Sequence, residues 1–566
     1  VNAITAFIVA SSLTFASEEM GIAIRNAAYS PNIKERLDHS CAIFDRRSRL
    51  VAQAEHIPVH LGSLPWGLGR TLAWLAEREI ALEPGDQWVV NDPYLSGTHL
   101  NDVTVVRPIF HDGTLVAYAV NKAHHADVGG AVPGSMPPDA RDLFAEGFVA
   151  PPMRLVANDA IVESTFELFR ANSRTPKART GDLRAQIAGN LTGERRVRQT
   201  IERYGIETVD VAMERALDAS ETRMRAALRD IPDGEASVRD VLEDADGAPS
   251  IELRLKLTKI GDTVALDYAG TALAIDIPLN AVYGVTLSGI YYAFRAATDA
   301  TIPMNEGVFR PIAVDVPLGT ILNPRRPAPV SGGNVETSMR NADLVLRALA
   351  VLAPRLIPAQ SGGSMNNVMM GGIDRDVPWS FYETNGCGMG ARPGADGIDA
   401  IHAHMTNTLN TPIEAIERDF PLRVERYEFA DESAGAGRLR GGSGMIRSFR
   451  LVRGTASLSL LAERHRVRPE GAQGGGPGAC GAHALYRDGA TMELPAKTTL
   501  VLRAGDVVEI RTAGGGGFGA PSERDTRASE RDARDDIAYA EIEPSASSLS
   551  RPSPYSRRSP HPRPEA

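Results

Sequence analysis

Residues 91–130 constrain the fold of this chain more than any other stretch. Two apolar runs, residues 103–110 and 115–120, flank His111-Asp112-Gly113. A turn of that composition between two strand-like runs marks a β-hairpin. The hairpin is preceded by Asn91-Asp92-Pro93-Tyr94-Leu95-Ser96-Gly97-Thr98-His99-Leu100-Asn101-Asp102 and followed by His124-His125-Ala126-Asp127-Val128-Gly129-Gly130. A hairpin brings its two ends together, so His99, Asp102 and His124 are expected around one point. Asp38, just ahead of a strand-like run at residues 40–44, can add a fourth group. Imidazole nitrogens and carboxylate oxygens suit zinc, manganese or iron, and three or four of them with an open position make a catalytic site. Turn histidines and a turn aspartate are the other reading of the same spacing, because no short metal motif such as HExxH is present.

The remaining patterns predict an α+β, multidomain chain with antiparallel sheets, a helical arm and a β-rich C-terminal region. An N-terminal metal-site domain is expected over 1–157. It holds a helix at 3–28, a hairpin from residue 40 to 54, a helix over 60–79 carrying Leu64, Leu68, Leu72 and Leu75, and the central hairpin. Helical spacing continues over 158–232, read as an arm that braces domains or subunits. The period changes to two over 236–268, opening a central α/β domain (233–424) with helices at 282–298 and 338–351. A Gly/Asn-rich turn is expected just before the second of these helices. Residues 425–520 read as β-rich. Residues 521–566 are rich in Ser, Pro, Arg and Asp, and are expected to be a disordered tail.

Composition narrows the function. A net charge of −10 weighs against nucleic acid as a partner. Cys41, Cys387 and Cys480 share no CxxC spacing, which excludes a zinc ribbon and fits a reducing compartment. No run of 18 apolar residues exists, so no membrane span is expected. The N-terminus mimics a signal peptide but lacks a basic leader and continues amphipathically past Glu18, which favours a cytoplasmic helix. The glycine runs at 332–333, 362–363, 474–476 and 514–519 match neither a P-loop nor a dinucleotide fingerprint and read as tight turns. His402 and His404 alternate as on one strand face. Glu383 and Arg392 are candidates for binding a polar substrate, and Cys387 lies between two glycines as an accessible thiol.

Several of these motifs resemble the hydantoinase B/oxoprolinase family. They are Asn32-Ile33-Lys34-Glu35-Arg36-Leu37-Asp38, His56-Ile57-Pro58-Val59-His60-Leu61-Gly62-Ser63, the 91–99 and 123–130 segments, Gly332-Gly333-Asn334-Val335-Glu336-Thr337-Ser338, Gly388-Met389-Gly390-Ala391-Arg392 and His404-Met405-Thr406-Asn407-Thr408. At Leu37-Asp38-His39 an Arg-Asp-Phe type sequence is expected instead, though the aspartate is kept. The resemblance implies a B subunit in a hetero-oligomer with a hydantoinase A-type ATPase subunit. That partner binds ATP and phosphorylates a carbonyl oxygen; this chain binds no ATP. The ring of a hydantoin, oxoproline or lactam is then opened at a divalent metal, zinc first with manganese or iron also suited. The implied metal positions are Asp38, His99, Asp102 and His124, with His125 or Asp127 moving a proton. A subunit of an ATP-dependent ketone carboxylase is the alternative.

Overall fold

The structure is a computed structural model that describes residues 1–54, 56–535 and 537–540. Its chain forms helices and several antiparallel sheets. The N-terminal sheet comprises β1 (His39–Asp45), β2 (Leu50–Ala54), β3 (Gln87–Val90), β4 (Asp102–His111), β5 (Thr114–His124), β6 (Met153–Ala157) and β7 (Ala160–Ile161). Its strand order is β2-β1-β5-β4-β3-β6-β7. Both predicted hairpins are present, β1 with β2 and β4 with β5. The second runs further than its apolar core, because Asp102 and His124 themselves join the ladder as a cross-strand pair.

Alternation along β4 and β5 buries side chains on both faces, so both faces need cover. On one face lies helix Ala3–Ala27, with Val9, Leu13, Met20 and Ile24 completely buried. By length and composition that helix could cross a membrane. Here it packs along helix Pro176–Tyr204 and against Cys41, Ile43, Ala117 and Ala119 of the sheet. On the other face, Leu64 and Leu68 of helix His60–Ala76 and Ile290 and Phe294 of helix Tyr283–Ala297 share a core with Val106 and its register partner Val120.

The helices expected as an arm are Glu163–Ala171, Pro176–Tyr204 and Ile206–Arg229. The longest of them docks on the sheet through amides. Gln186 Nε2 donates to the Val103 carbonyl (2.8 Å) and to Asn121 Oδ1 (2.9 Å), while Asn121 Nδ2 donates to Asn190 Oδ1 (2.8 Å). These groups are fully buried, and their mutual bonds remove the cost that an unpaired amide would carry.

Residues 234–315 add a four-stranded sheet that is antiparallel except for one parallel edge pair, 263–267 with 312–315. Residues 367–511 form two further antiparallel sheets, of four and five strands, around a core that includes Phe449, Leu458 and Val508.

Three local expectations are corrected. The Gly/Asn-rich segment before helix Ser338–Leu352 is no turn but a π-helical stretch, Gly333–Thr337, that runs straight into it. The Gly514-Gly515-Gly516-Gly517 run is not a turn either; a Cβ at Gly514 would lie 1.8 Å from the Ser433 carbonyl oxygen, so backbone packs directly on backbone. Finally, the stretch from Pro521 is not structureless throughout. Helix Thr526–Arg534 forms, held by Arg524 to Asp396 (2.9 Å) and to Asp532 (2.7 Å). Residues 541–566, the rest of the expected tail, lie outside the described residues.

Glu146 supplies a test of this packing. One of its carboxylate oxygens accepts the Val330 and Ser331 amides, each at 2.8 Å, ahead of the π-helical stretch. Burial pushes its carboxyl up to about 8 from an ordinary 4.5, although those amides pull the other way. Between these values the unfolded chain has released a proton that the folded chain retains. Stability therefore falls as pH rises through that window, by at most about 1.4 kcal/mol per pH unit. Denaturant unfolding at about pH 5 and about pH 8 should show a smaller loss for Glu146→Gln than for the wild type. Equal losses would overturn the assignment.

Candidate metal centre

The site grows out of the β4–β5 ladder. Asp102 opens β4, His124 closes β5, and the two are direct register partners. His99 reaches them from the loop after the short helix Pro93–Ser96. That helix stops at Gly97, whose φ of 88° suits glycine and turns the chain back towards the sheet. The Asp102 amide donates to the His99 carbonyl (3.2 Å), and Asn101 Nδ2 donates to the carbonyls of His125 (3.0 Å) and Gly134 (3.1 Å). Lys122 is fully buried beneath the loop, its ammonium donating to the Ser96 carbonyl (2.8 Å) and Thr98 Oγ1 (3.1 Å). Burial lowers its pKa to about 7.

Three acceptor-type atoms converge. His99 Nε2 lies 3.2 Å from His124 Nδ1 and 3.2 Å from Asp102 Oδ1, and His124 Nδ1 lies 3.4 Å from the same oxygen. Donors about 2.0–2.2 Å from one zinc-sized ion, at tetrahedral to octahedral angles, stand roughly 2.9–3.6 Å apart. The triangle fits that requirement, and one cation would satisfy all three lone pairs at once. All three side chains are buried.

The second carboxylate oxygen of Asp102 is held from the far side. His60 Nε2 lies 3.4 Å and Asn334 Nδ2 3.5 Å from Oδ2, and His60 Nδ1 is anchored at 2.8 Å by Ser40 Oγ. Bonds of this kind fix which oxygen faces a metal. Burial pushes the Asp102 carboxyl up, but the charge of His99 and the bonds from His124, His60 and His99 together hold it well below the usual carboxylate range. Burial lowers the pKa of His124 and of His60, which favours the neutral imidazole that a metal requires.

Asp38 lines the same cavity as Asp102 and His124 but stands outside the tight triangle. Its carbonyl accepts the His124 amide at 3.0 Å, tying β1 to the site. Burial raises its carboxyl pKa, with His124 and Arg36 opposing. Tyr382 stacks on the His124 ring at 4.7 Å between centroids and 14° between planes. Arg36 braces that wall from behind, with its guanidinium 4.8 Å from the Tyr382 ring centre and 2.7 Å from Thr384 Oγ1. Met365, Met405 and Thr408 close the cavity, which measures about 20 Å³, room for roughly one water.

Other expected site residues are placed elsewhere. His125 follows the last residue of β5 and turns away from the cavity, its Nε2 bonded to Gln186 Oε1 at 2.8 Å. Asp127 spends both oxygens away from the cavity, accepting from the Gly129 and Gly134 amides of its own loop and from the amide and guanidinium of Arg174, between helices Glu163–Ala171 and Pro176–Tyr204. Neither lines the cavity. Glu383 is buried and committed to Asn410, the Thr411 amide and Arg447. Arg392 is exposed in a turn with Ala395. Neither residue borders the cavity. His404 sits in a turn, not on a strand, with Nε2 bonded to Asp343 Oδ1 at 3.0 Å. Cys387 is buried, and burial pushes its thiol up to about 12, which removes it as a nucleophile.

Sequence reasoning missed His60, Asn334 and Tyr382. His60 and Asn334 did stand inside the quoted motifs, but nothing local says that they meet Asp102 from 42 and 232 residues away.

Comparisons with known proteins place the chain in a family. An uncharacterized protein of Methanocaldococcus jannaschii is 45% identical over 95% of this chain and 94% of its own length. The 5-oxoprolinase 1 of Arabidopsis thaliana is 34% identical over 89% of this chain, which spans only 40% of that longer enzyme. The solved structure of the ATP-dependent caprolactamase from Pseudomonas jessenii superposes with a TM-score of 0.89 at 28% identity, covering 95% of this chain and 94% of that one. The family model for hydantoinase B/oxoprolinase matches residues 2–521. The chain belongs to the hydantoinase B/oxoprolinase family.

Proposed function

We propose that this chain is the metal-dependent B subunit of an ATP-dependent cyclic amide hydrolase, opening a hydantoin, oxoproline or lactam ring after an A-type ATPase subunit has phosphorylated its carbonyl. The observation that carries the reading is the triangle of His99 Nε2, Asp102 Oδ1 and His124 Nδ1. The names of two relatives, a 5-oxoprolinase and an ATP-dependent caprolactamase, support the same reaction class.

His99, Asp102 and His124 would hold a divalent ion, with Asp38 as a fourth donor from the cavity wall. Zinc suits this mixed nitrogen and oxygen set first, and manganese or iron next. Such an ion supplies Lewis acidity and lowers the pKa of water at neutral pH.

The chain's own residues do the rest. His60 and Asn334 fix the Asp102 carboxylate in the rotation that points Oδ1 inward. Tyr382 covers the His124 ring and keeps bulk water off that side. A substrate ring needs more room than the closed cavity offers, so it must displace part of the wall. Met365 and Met405 are suited to yield, being unbranched and flexible. An amide is a poor electrophile; phosphorylation of its oxygen activates the carbon towards water. The C–N bond then breaks as the nitrogen takes a proton, and a second water hydrolyses the resulting acyl phosphate to the acid and phosphate, which is why an ATPase partner belongs in the reaction.

Purified His99→Ala and Asp102→Ala variants should stay folded and lose bound metal by elemental analysis. His60→Ala should keep the site but bind metal about 10–100-fold more weakly. Metal content at wild-type level in Asp102→Ala would overturn the site. With a co-expressed A-type partner, ATP hydrolysis should be stimulated by one of hydantoin, 5-oxoproline or a lactam, with the ring-opened acid as product. Stimulation by a ketone with bicarbonate, and by no ring amide, would replace hydrolysis with carboxylation.

A further inference from the structure

A groove separate from the metal cavity carries an unusual balance of charge for this acidic chain. Trp66, Arg70, Tyr94, Tyr283, Arg325 and Arg326 line it, with Asp315 as its acidic member, around about 760 Å³. That volume lies within the usual range of small-molecule sites. Trp66 and Tyr283 stand 6.4 Å apart between ring centres, and the Arg70 guanidinium lies 5.9 Å from the Trp66 ring centre. Arg70 and Arg325 are exposed, and no carboxylate among the described residues pairs with either.

Both walls of the groove lead into the metal centre. Asp92 forms an ion pair with Arg326 and also caps helix Pro93–Ser96 through the Tyr94 amide (3.0 Å). His99 follows the end of that helix by three residues. The Tyr94 hydroxyl, in turn, lies 3.2 Å and 3.0 Å from the carbonyl oxygens of Arg325 and Ala328. Beyond Ala328 the chain passes Val330 and Ser331, which Glu146 holds, and arrives at Asn334 beside Asp102.

We propose that this groove is a binding site for a phosphoryl group carried on a planar ring. Arginine forks match phosphate oxygens bidentately, and the faces of Trp66 and Tyr283 offer a stacking surface for a ring. The inference rests on the proposed function for its purpose: a ring phosphorylated on a partner must approach the metal centre as an anion, and the groove's walls run to that centre. A phosphorylated substrate and a nucleotide share this chemistry, and the test separates them.

Calorimetric titration of the full chain with inorganic phosphate, phenyl phosphate and AMP reads binding without turnover, so it stands or falls apart from the hydrolase assay. Phenyl phosphate is expected to bind more tightly than inorganic phosphate. Arg325→Glu and the pair Arg70→Ala with Arg325→Ala are each expected to weaken it by about tenfold or more, with unchanged metal content as the control for folding. AMP no tighter than phenyl phosphate assigns the groove to the phosphorylated ring; tighter AMP binding assigns it to a nucleotide, and both outcomes uphold the site. Absence of binding by all three, unchanged affinity in both variants, or inorganic phosphate binding as tightly as phenyl phosphate would overturn it.

Discussion

The cross-strand pairing of Asp102 with His124 is the constraint on which the rest of the site depends. A shift of one residue in the β4–β5 register would send one of them to the opposite face of the sheet, because side chains alternate along a strand. The register is secured at several points. The Asp38 carbonyl takes the His124 amide, Asn121 and Gln186 bind one another across the sheet and its covering helix, and Asn101 ties the loop before β4 to the segment after β5. None of these contacts touches the three converging atoms themselves. Together they set three donor atoms within 3.4 Å of one another in a buried place where misplacing one is costly.

The donor triangle was legible in the sequence because it is nearly local. A hairpin is encoded by two apolar runs and one turn, and its geometry brings residues 99, 102 and 124 together without any knowledge of the remaining fold. The supporting residues were not legible. His60 starts a helix, Asn334 sits in a π-helical stretch and Tyr382 lies on a distant strand; only tertiary packing brings them to Asp102 and His124. His125 and Asp127, expected to move a proton, stand away from the cavity for a local reason. The residue after a strand end turns to the other side, and two amides of its own loop together with the amide and guanidinium of Arg174 claim both oxygens of Asp127.

The helix at Thr526–Arg534 was hidden for a different reason. Composition measures the apolar surface a segment can bury, and this segment has little. Charge does the docking instead. Arg524 and Arg440 share Asp532, and each also pairs with a further aspartate, Asp396 or Asp399. The glycine runs show a similar limit. Their sequence suggests turns, whereas several serve as places where backbone meets backbone with no room for a side chain.

X-ray absorption spectroscopy of the purified wild-type chain tests the central claim most directly, since it reads the donors around a bound metal without any partner or substrate. One divalent ion per chain, with two imidazole nitrogens and carboxylate oxygen in its inner sphere at about 2.0–2.2 Å, is the expected result. A metal-free chain that takes up no divalent ion, or an ion bound through sulfur or without histidine, would contradict it.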